Sequence, residues 1–228
     1  MSSLASVGKA EEGTGFSRPL VVATAFEVLL MFGGILAYIW RWQHTTPLIW
    51  IGMLAFILIS HVLHGDTVRS LGLGRADLRA SAQWILPLTA LLCIPLLYYG
   101  FERQRLLFLH PTWGALLTLF AYGVWCAFQQ YLTQSYFNNR LMLIIRNRHV
   151  TSVLVGIMFS ATHIPNVILM VATFIAGAVF AEVFARYRNI WPLAFAQAVG
   201  GLLVAAISPE SMIHHMRVGP GYFFYGIR

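Results

Sequence analysis

The sequence has few charged residues. Only 10% of its 228 residues are charged, and lysine occurs once, whereas a typical soluble domain is about 25% charged. This scarcity excludes an ordinary soluble domain. With 58% hydrophobic residues and a mean hydropathy of +0.71, the chain is predicted to be an integral membrane protein that crosses the bilayer several times.

Cysteine is also scarce. Cys93 and Cys126 both lie in apolar runs, so a disulfide framework is not indicated. A net charge of +7 would favour nucleic-acid binding if the basic residues clustered. They fall instead in short breaks between apolar runs, which is typical of anchoring against anionic lipid. The expected partner is therefore the lipid bilayer and not nucleic acid.

Apolar segments recur along the chain and predict an all-α membrane helix bundle with about seven transmembrane helices. The segments are Leu20 to Trp40, Pro47 to Leu63, Ala82 to Tyr99, Trp113 to Phe137, Val150 to Ala161, Pro165 to Ala185 and Trp191 to Ile207. A crossing needs about 20 residues. The fifth segment reaches that length only if Asn147 to Thr151 are included.

The arrangement of basic residues predicts the orientation. In a seven-helix topology, ten Lys and Arg lie on the N-terminal side of the membrane and five on the other. The ten are Lys9, Arg18, Arg69, Arg75, Arg79, Arg140, Arg146, Arg148, Arg186 and Arg188, and the five are Arg41, Arg103, Arg105, Arg217 and Arg228. This asymmetry predicts a cytoplasmic N-terminus, in a bacterial inner membrane.

Three regions follow along the chain. Residues 1–17, rich in Ser, Gly and small residues, are predicted to be a flexible cytoplasmic tail. Residues 18–207 form the predicted transmembrane bundle, and residues 208–228 a C-terminal tail.

Polar residues at membrane depth are the candidate functional residues, because a polar group in hydrocarbon is costly without a partner. Gln130, Gln134 and Asn138 are spaced by four in the fourth segment and share one helix face. Gln129 and Thr133 lie on the adjacent strip. This stripe is expected to face protein or a water-filled cavity.

Two acids lie within other segments. Glu182 precedes Arg186 by four residues, a spacing that favours an ion pair within one helix. Glu27 has no partner in its own segment, which leaves a structural pairing and a functional role both open.

Histidine is the remaining candidate for metal chemistry. His61 and His64 are three residues apart, but no helix carries the two-His-plus-carboxylate pattern of a zinc hydrolase. Bis-histidine haem ligation by His61 and His163 is a further alternative, yet a hydrogen-bonded role is favoured for each. The sequence therefore predicts neither a metal site nor a cofactor.

Five short stretches follow one another between residues 71 and 201: Leu71 to Arg75, Gln129 to Gln134, Phe159 to His163, Arg186 to Trp191 and Gln197 to Gly201. Their order and spacing resemble those of the CAAX-protease and bacteriocin-processing (CPBP, or Abi) family of intramembrane endopeptidases. Members carry a Gly-Leu element, a Glu-Glu-x-x-x-Arg helix, a Phe-x-x-x-His helix and an Arg-x-x-Asn-Leu/Trp turn that leads to a His-x-x-x-Asn helix. These elements correspond, in the same order, to the five stretches of this sequence.

The family's catalytic residue types are mostly replaced in this chain. The resemblance implies that paired glutamates activate a water while histidine and asparagine orient it and stabilise the oxyanion. Of the catalytic positions only His163 is kept. The substituted ones are Gln129 and Gln130 for the two glutamates, Gln134 for Arg, Gln197 for His and Gly201 for Asn. An amide cannot accept a proton near neutral pH.

Three functional hypotheses follow. The first is a catalytically silent relative whose neutral polar cavity, formed by Gln130, Gln134, His163 and Gln197, binds another membrane protein, a lipidated peptide or an isoprenoid-like ligand. The second is an active CAAX-type endopeptidase with His163 as base and Glu27 or Glu182 in support. The third is a structural subunit of a larger membrane complex.

Overall fold

The computed structural model describes residues 18–103 and 112–224, and within these ranges all regular structure is helical. The predicted all-α class is therefore confirmed. The predicted tail 1–17, Arg105 and Arg228 lie outside the described residues.

Seven long helices correspond to the seven apolar segments. They are α1 (Arg18–Ala37), α2 (Ile49–Leu63), α3 (Leu78–Glu102), α4 (Trp113–Gln130), α5 (Arg148–Ala161), α6 (Val167–Arg186) and α7 (Trp191–Ile207). The chain stays helical after α1 through a π-helix, Tyr38–Trp42, and one turn, Gln43–Thr45. It also continues after α4 through a π-helix, Tyr131–Asn138, and an α-helix, Asn139–Ile145, which together form the α4 extension.

Three helical stretches in the described ranges are long and apolar enough to cross a membrane, namely Arg18–Thr45, Leu78–Glu102 and Val167–Arg186. Shorter apolar helices are Ile49–Leu63, Arg148–Ala161 and Trp191–Ile207. The chain is an integral membrane protein with a helical bundle, while the number of seven crossings stays a prediction.

Side-chain caps set the starts of three helices. Thr112 accepts a hydrogen bond from Ala115 N at the start of α4, and Asn147 Oδ1 accepts from His149 N at the start of α5. Asn166 Oδ1 accepts from Leu169 N at the start of α6. Each cap satisfies a backbone donor that the first helical turn leaves unpaired.

Close packing of α5 on α6 depends on small residues. A Cβ at Gly156 would lie 2.7 Å from Phe174 O and 3.0 Å from Ala178 N, and a Cβ at Gly177 would lie 3.1 Å from Gly156 Cα. The two backbones therefore approach closely enough to exclude side chains, as small residues allow in membrane bundles.

The loop between α2 and α3 carries the Gly-Leu element and joins it to the α6–α7 turn. Gly72 has φ +68°, and a Cβ there would lie 2.5 Å from the Phe184 ring, so both backbone and space require glycine. Ile190 N donates to Gly72 O at 3.0 Å. Ser135 Oγ donates to Leu71 O at 2.5 Å, which fixes the same loop to the α4 extension.

Residues 208–224 fold back onto the bundle. They contain α8 (Glu210–Ile213), a 3₁₀ turn (His214–Met216) and α9 (Pro220–Phe223). Asn166 Nδ2 donates to Ile213 O at 2.7 Å, and Gly219 N donates to Ile164 O at 2.8 Å. The segment is thereby held against the turn between α5 and α6.

Candidate functional site

Amide side chains from α4 and α7 meet inside the bundle. Gln130 Nε2 donates to Gln197 Oε1 at 2.6 Å, and Gln197 Nε2 donates to Gln129 Oε1. Gln134 Nε2 donates to Gln130 Oε1 at 3.2 Å. Gln130 and Gln134 are fully buried, and their side chains form these hydrogen bonds within the protein.

The amide chain continues through the π-helical part of the α4 extension. Asn138 Nδ2 donates to Gln134 Oε1 at 3.0 Å and to Ala181 O of α6 at 3.1 Å. We call the five linked residues the amide ladder: Asn138, Gln134, Gln130, Gln197 and Gln129. Four of its five members occupy motif positions of the family resemblance.

His163 lies after the end of α5 and is not hydrogen-bonded to the amide ladder. Its Nδ1 lies 2.8 Å from Phe159 O and 3.2 Å from Thr162 Oγ1, and its ring packs edge-on against Phe159 with centroids 5.1 Å apart. Because a carbonyl oxygen only accepts, Nδ1 carries the proton. His163 faces the same cavity as Gln129 and Gln197.

A tyrosine occupies the space beside Gly201. A Cβ at Gly201 would overlap the Tyr122 hydroxyl, so the family's asparagine side chain has no room while Tyr122 keeps this position. Nothing in the sequence pattern indicated this contact, because Tyr122 lies outside the motif positions.

The cavity in front of these residues is large and apolar. Its volume is about 1580 Å³, and it extends between α1, α2, α3, α4, α5, α6 and α7. Among the residues that line it in the described ranges there is no Asp, Glu, Lys or Arg. Its polar lining includes Gln129, Thr133, His163 and Gln197. Fully buried Gln130 and Gln134 lie behind this wall.

A separate ionic cluster joins α1, α2 and the α4 extension. Arg140, which is 1% exposed, donates from Nη2 to Asp66 at 2.8 Å and from Nε to Glu27 at 3.2 Å. Ser60 Oγ donates to Glu27 Oε1 at 2.5 Å, and His61 Nδ1 lies 2.7 Å from Asp66. Glu27 therefore has a structural pairing. Arg140 belongs to this cluster although it counts among the ten predicted interfacial charges.

Asp66 lies in the loop after α2, where opposing effects act on its carboxyl. Burial raises the pKa of Asp66, but hydrogen bonds from His61 and Arg140 and the Arg140 charge outweigh burial and hold it below the ordinary value. The resulting stabilisation is present above the ordinary pKa of about 3.9. It is lost as the pH falls through the lowered value.

Glu182 pairs with α5 and not with Arg186, so the expected pairing within one helix is wrong. Arg148 Nε lies 3.0 Å and His149 Nδ1 3.1 Å from the Glu182 carboxylate. The helix α5 packs against α6 so closely that the first turn of α5, which carries Arg148 and His149, reaches Glu182. Neither Glu182 nor Glu27 contacts His163.

Histidines in the described ranges do not assemble a metal centre: no group of three or more His, Cys, Asp or Glu is arranged to hold an ion there. His61 and His163, the pair considered for haem, lie in two different places. His61 belongs to the ionic cluster and His163 to the cavity.

Fold and site together define a helical integral membrane protein whose motif helices α4, α5 and α7 line a large apolar cavity. A family model described as type II CAAX prenyl endopeptidase Rce1-like matches residues 111–203. The resemblance to the CPBP family is thereby confirmed. The match spans α4 to most of α7, and the Gly-Leu element lies outside it. Comparison with curated proteins and with solved structures gave no match.

Proposed function

We propose that this chain is a CPBP-like membrane protein that has lost endopeptidase activity and binds a lipidic or lipidated partner in its neutral intramembrane cavity. The observation that carries the proposal is the lining of the cavity. Amides occupy the positions where the family places its glutamates, and no carboxylate lines the cavity in the described ranges.

The missing acid-base groups argue against hydrolysis. A general base contributes about 10²- to 10⁴-fold to rate, and the amide ladder has no group that takes a proton from water. His163 keeps a lone pair on Nε2, but its Nδ1–H donates to the Phe159 carbonyl and not to a carboxylate. The two carboxylates proposed to support it are engaged with Arg140 and Arg148.

Retention of polarity supports a binding role. Burying an unpaired amide is costly, so a site without function is expected to drift towards apolar residues. Here Gln130 and Gln134 stay fully buried and form a continuous set of hydrogen bonds. A cavity of about 1580 Å³ exceeds the roughly 300–1,000 Å³ of common small-molecule sites, which suits a long isoprenoid-like chain or a lipidated peptide.

A cavity-filling variant tests this proposal. Gly200 lines the cavity, and a Cβ there meets nothing within 4 Å. We expect Gly200→Trp to lower retention of tritiated S-geranylgeranyl-N-acetylcysteine methyl ester by the purified chain about tenfold, equivalent to about 1.4 kcal/mol. Gly52→Trp is the matched control, because Gly52 is exposed, has equal space and lies outside the cavity. Equal retention by both variants would contradict cavity binding.

The proposed topology has seven crossings and a cytoplasmic N-terminus in a bacterial inner membrane. It rests on the Lys and Arg asymmetry, which persists as nine to five when the buried Arg140 is left out. A reporter fused after Arg228 is expected to be non-cytoplasmic, and one inserted at Arg146–Asn147 cytoplasmic. Finding both on one side would remove the seven-crossing topology.

A further inference from the structure

The amide ladder has a single direction. Four hydrogen bonds link the five amides, and in each bond the nitrogen of one amide donates to the oxygen of the next, in the order Asn138, Gln134, Gln130, Gln197, Gln129. Asn138 Oδ1, at the start, accepts no hydrogen bond within the described residues. Aligned hydrogen bonds of this kind polarise one another. The last nitrogen of the series is therefore a stronger donor than an isolated amide.

The direction is fixed by α6. Ala181 O is a backbone carbonyl and only accepts, so the NH₂ group of Asn138, 3.1 Å away, must face it. The second hydrogen of that NH₂ group points to Gln134 Oε1, and the orientation of every later amide follows. Reversing any member would place two nitrogens or two oxygens against each other.

Gln129 is the end of the ladder and lies at the cavity. Its oxygen accepts from Gln197, and its Nε2 forms no hydrogen bond with any residue in the described part of the chain. Gln129 is half-buried and lines the cavity. The ladder thus ends in an amide nitrogen whose N–H groups are available to a ligand in the cavity.

The same wall disfavours a charged head group. A buried ion costs several kcal/mol unless an opposite charge meets it, and no Lys or Arg lines the cavity in the described ranges. One neutral amide donor contributes about 1.5–3 kcal/mol to a charged acceptor, which does not offset that cost. A ligand with an uncharged acceptor forms the same hydrogen bond and does not pay the free energy of desolvating an ion.

We propose that the cavity takes a long-chain lipid whose head is an uncharged carbonyl acceptor, such as an ester or ketone, and that Gln129 Nε2 donates the hydrogen bond that recognises it. This inference rests on the proposed cavity-binding function and adds the chemistry of the ligand head. The inference also excludes a peptide with a free carboxylate as the ligand.

Three matched photoreactive probes test the inference on the full chain in detergent. Each carries the same diazirine-bearing sixteen-carbon chain and ends in a methyl ester, a plain methyl group or a sulfonate. Crosslinks are mapped by mass spectrometry to cavity-lining residues such as Trp125 and Leu132. We expect the ester to label the cavity at about fivefold lower concentration than the hydrocarbon, since one hydrogen bond contributes about 1 kcal/mol. The sulfonate is expected to label least.

Assayed at a pH at which its carboxyl group is ionised, Gln129→Glu has no donor at this position and keeps an oxygen for Gln197 Nε2. In this variant we expect ester labelling to fall at least to the level of the hydrocarbon probe. Thr173→Val is the matched control. It removes a different donor, a hydroxyl, from the cavity wall. That hydroxyl already donates to Leu169 O of its own helix, so ester labelling should stay unchanged.

The outcomes separate the two proposals. Equal cavity labelling by all three probes, or stronger labelling by the sulfonate, overturns the neutral-acceptor inference and leaves cavity binding standing. Absence of cavity labelling by every probe overturns both. If Gln129→Glu does not yield folded protein, the comparison of the three probes on the unmodified chain still decides the inference.

Discussion

Replacing Arg140 with leucine is expected to destabilise the protein by about 3–5 kcal/mol, because the change leaves two carboxylates without their counter-charge. Arg140 is 1% exposed and links Glu27 of α1 to Asp66 of the α2–α3 loop. The measurement is the thermal unfolding of the full chain in detergent, together with the yield of monodisperse protein.

Two further variants test whether the effect of Arg140→Leu comes from the loss of the counter-charge for Glu27 and Asp66. Arg79→Leu removes an exposed charge and should change stability by about 0.5 kcal/mol at most. The triple variant Arg140→Leu, Glu27→Gln, Asp66→Asn has no uncompensated carboxylate and is expected to recover much of the loss. A loss of stability below about 1 kcal/mol for Arg140→Leu would show that the ionic cluster does not stabilise the fold.

Adding a methyl group at Gly156 is expected to force α5 away from α6. The new Cβ would lie 2.7 Å from Phe174 O and 3.0 Å from Ala178 N. Both are backbone atoms, which cannot relieve the clash by a change of rotamer. We expect a loss of about 1–3 kcal/mol, measured as a lower unfolding temperature in detergent.

Gly33→Ala is the control for Gly156→Ala. Gly33 is exposed in α1, and a Cβ there meets nothing within 4 Å. Alanine is favoured over glycine in a helix by roughly 0.5–1 kcal/mol, so this variant should be neutral or more stable. Equal stability of the two variants would mean that α5 and α6 are not in close contact.

Helical periodicity was sufficient for the local part of the site. The spacing of four residues placed Gln130, Gln134 and Asn138 on one helix face, and the structure joins their side chains by hydrogen bonds. The partner from α7, Gln197, was predicted from the family resemblance, because spacing within one helix carries no information about which other helix packs against it.

The sequence pattern does not show which residues far apart in the chain contact each other. Glu27 and Arg140 are 113 residues apart, and only the packing of α1 on the α4 extension brings them together. The sole signals were an acid without a partner in α1 and an arginine two residues after the polar stripe. Tyr122 beside Gly201 gave no signal at all, since a tyrosine in an apolar segment is ordinary.

The α4 extension runs beyond the end of the predicted fourth segment for a physical reason. Apolar composition ends near Phe137, but the chain stays helical to Ile145. Asn139 and Arg140 there are buried because loop carbonyls, serine and carboxylates satisfy their side chains. A hydropathy criterion measures contact with lipid and therefore misses helix that packs against polar protein groups.

The cavity is expected not to hydrolyse peptides, and a cleavage assay on the unmodified full chain tests this most directly. The chain is reconstituted in lipid vesicles with a prenylated CAAX peptide, beside an active endopeptidase of the family as positive control. Our account predicts no cleavage above the rate of protein-free vesicles. Cleavage that His163→Ala abolishes would contradict it and identify His163 as the base of a rearranged active site.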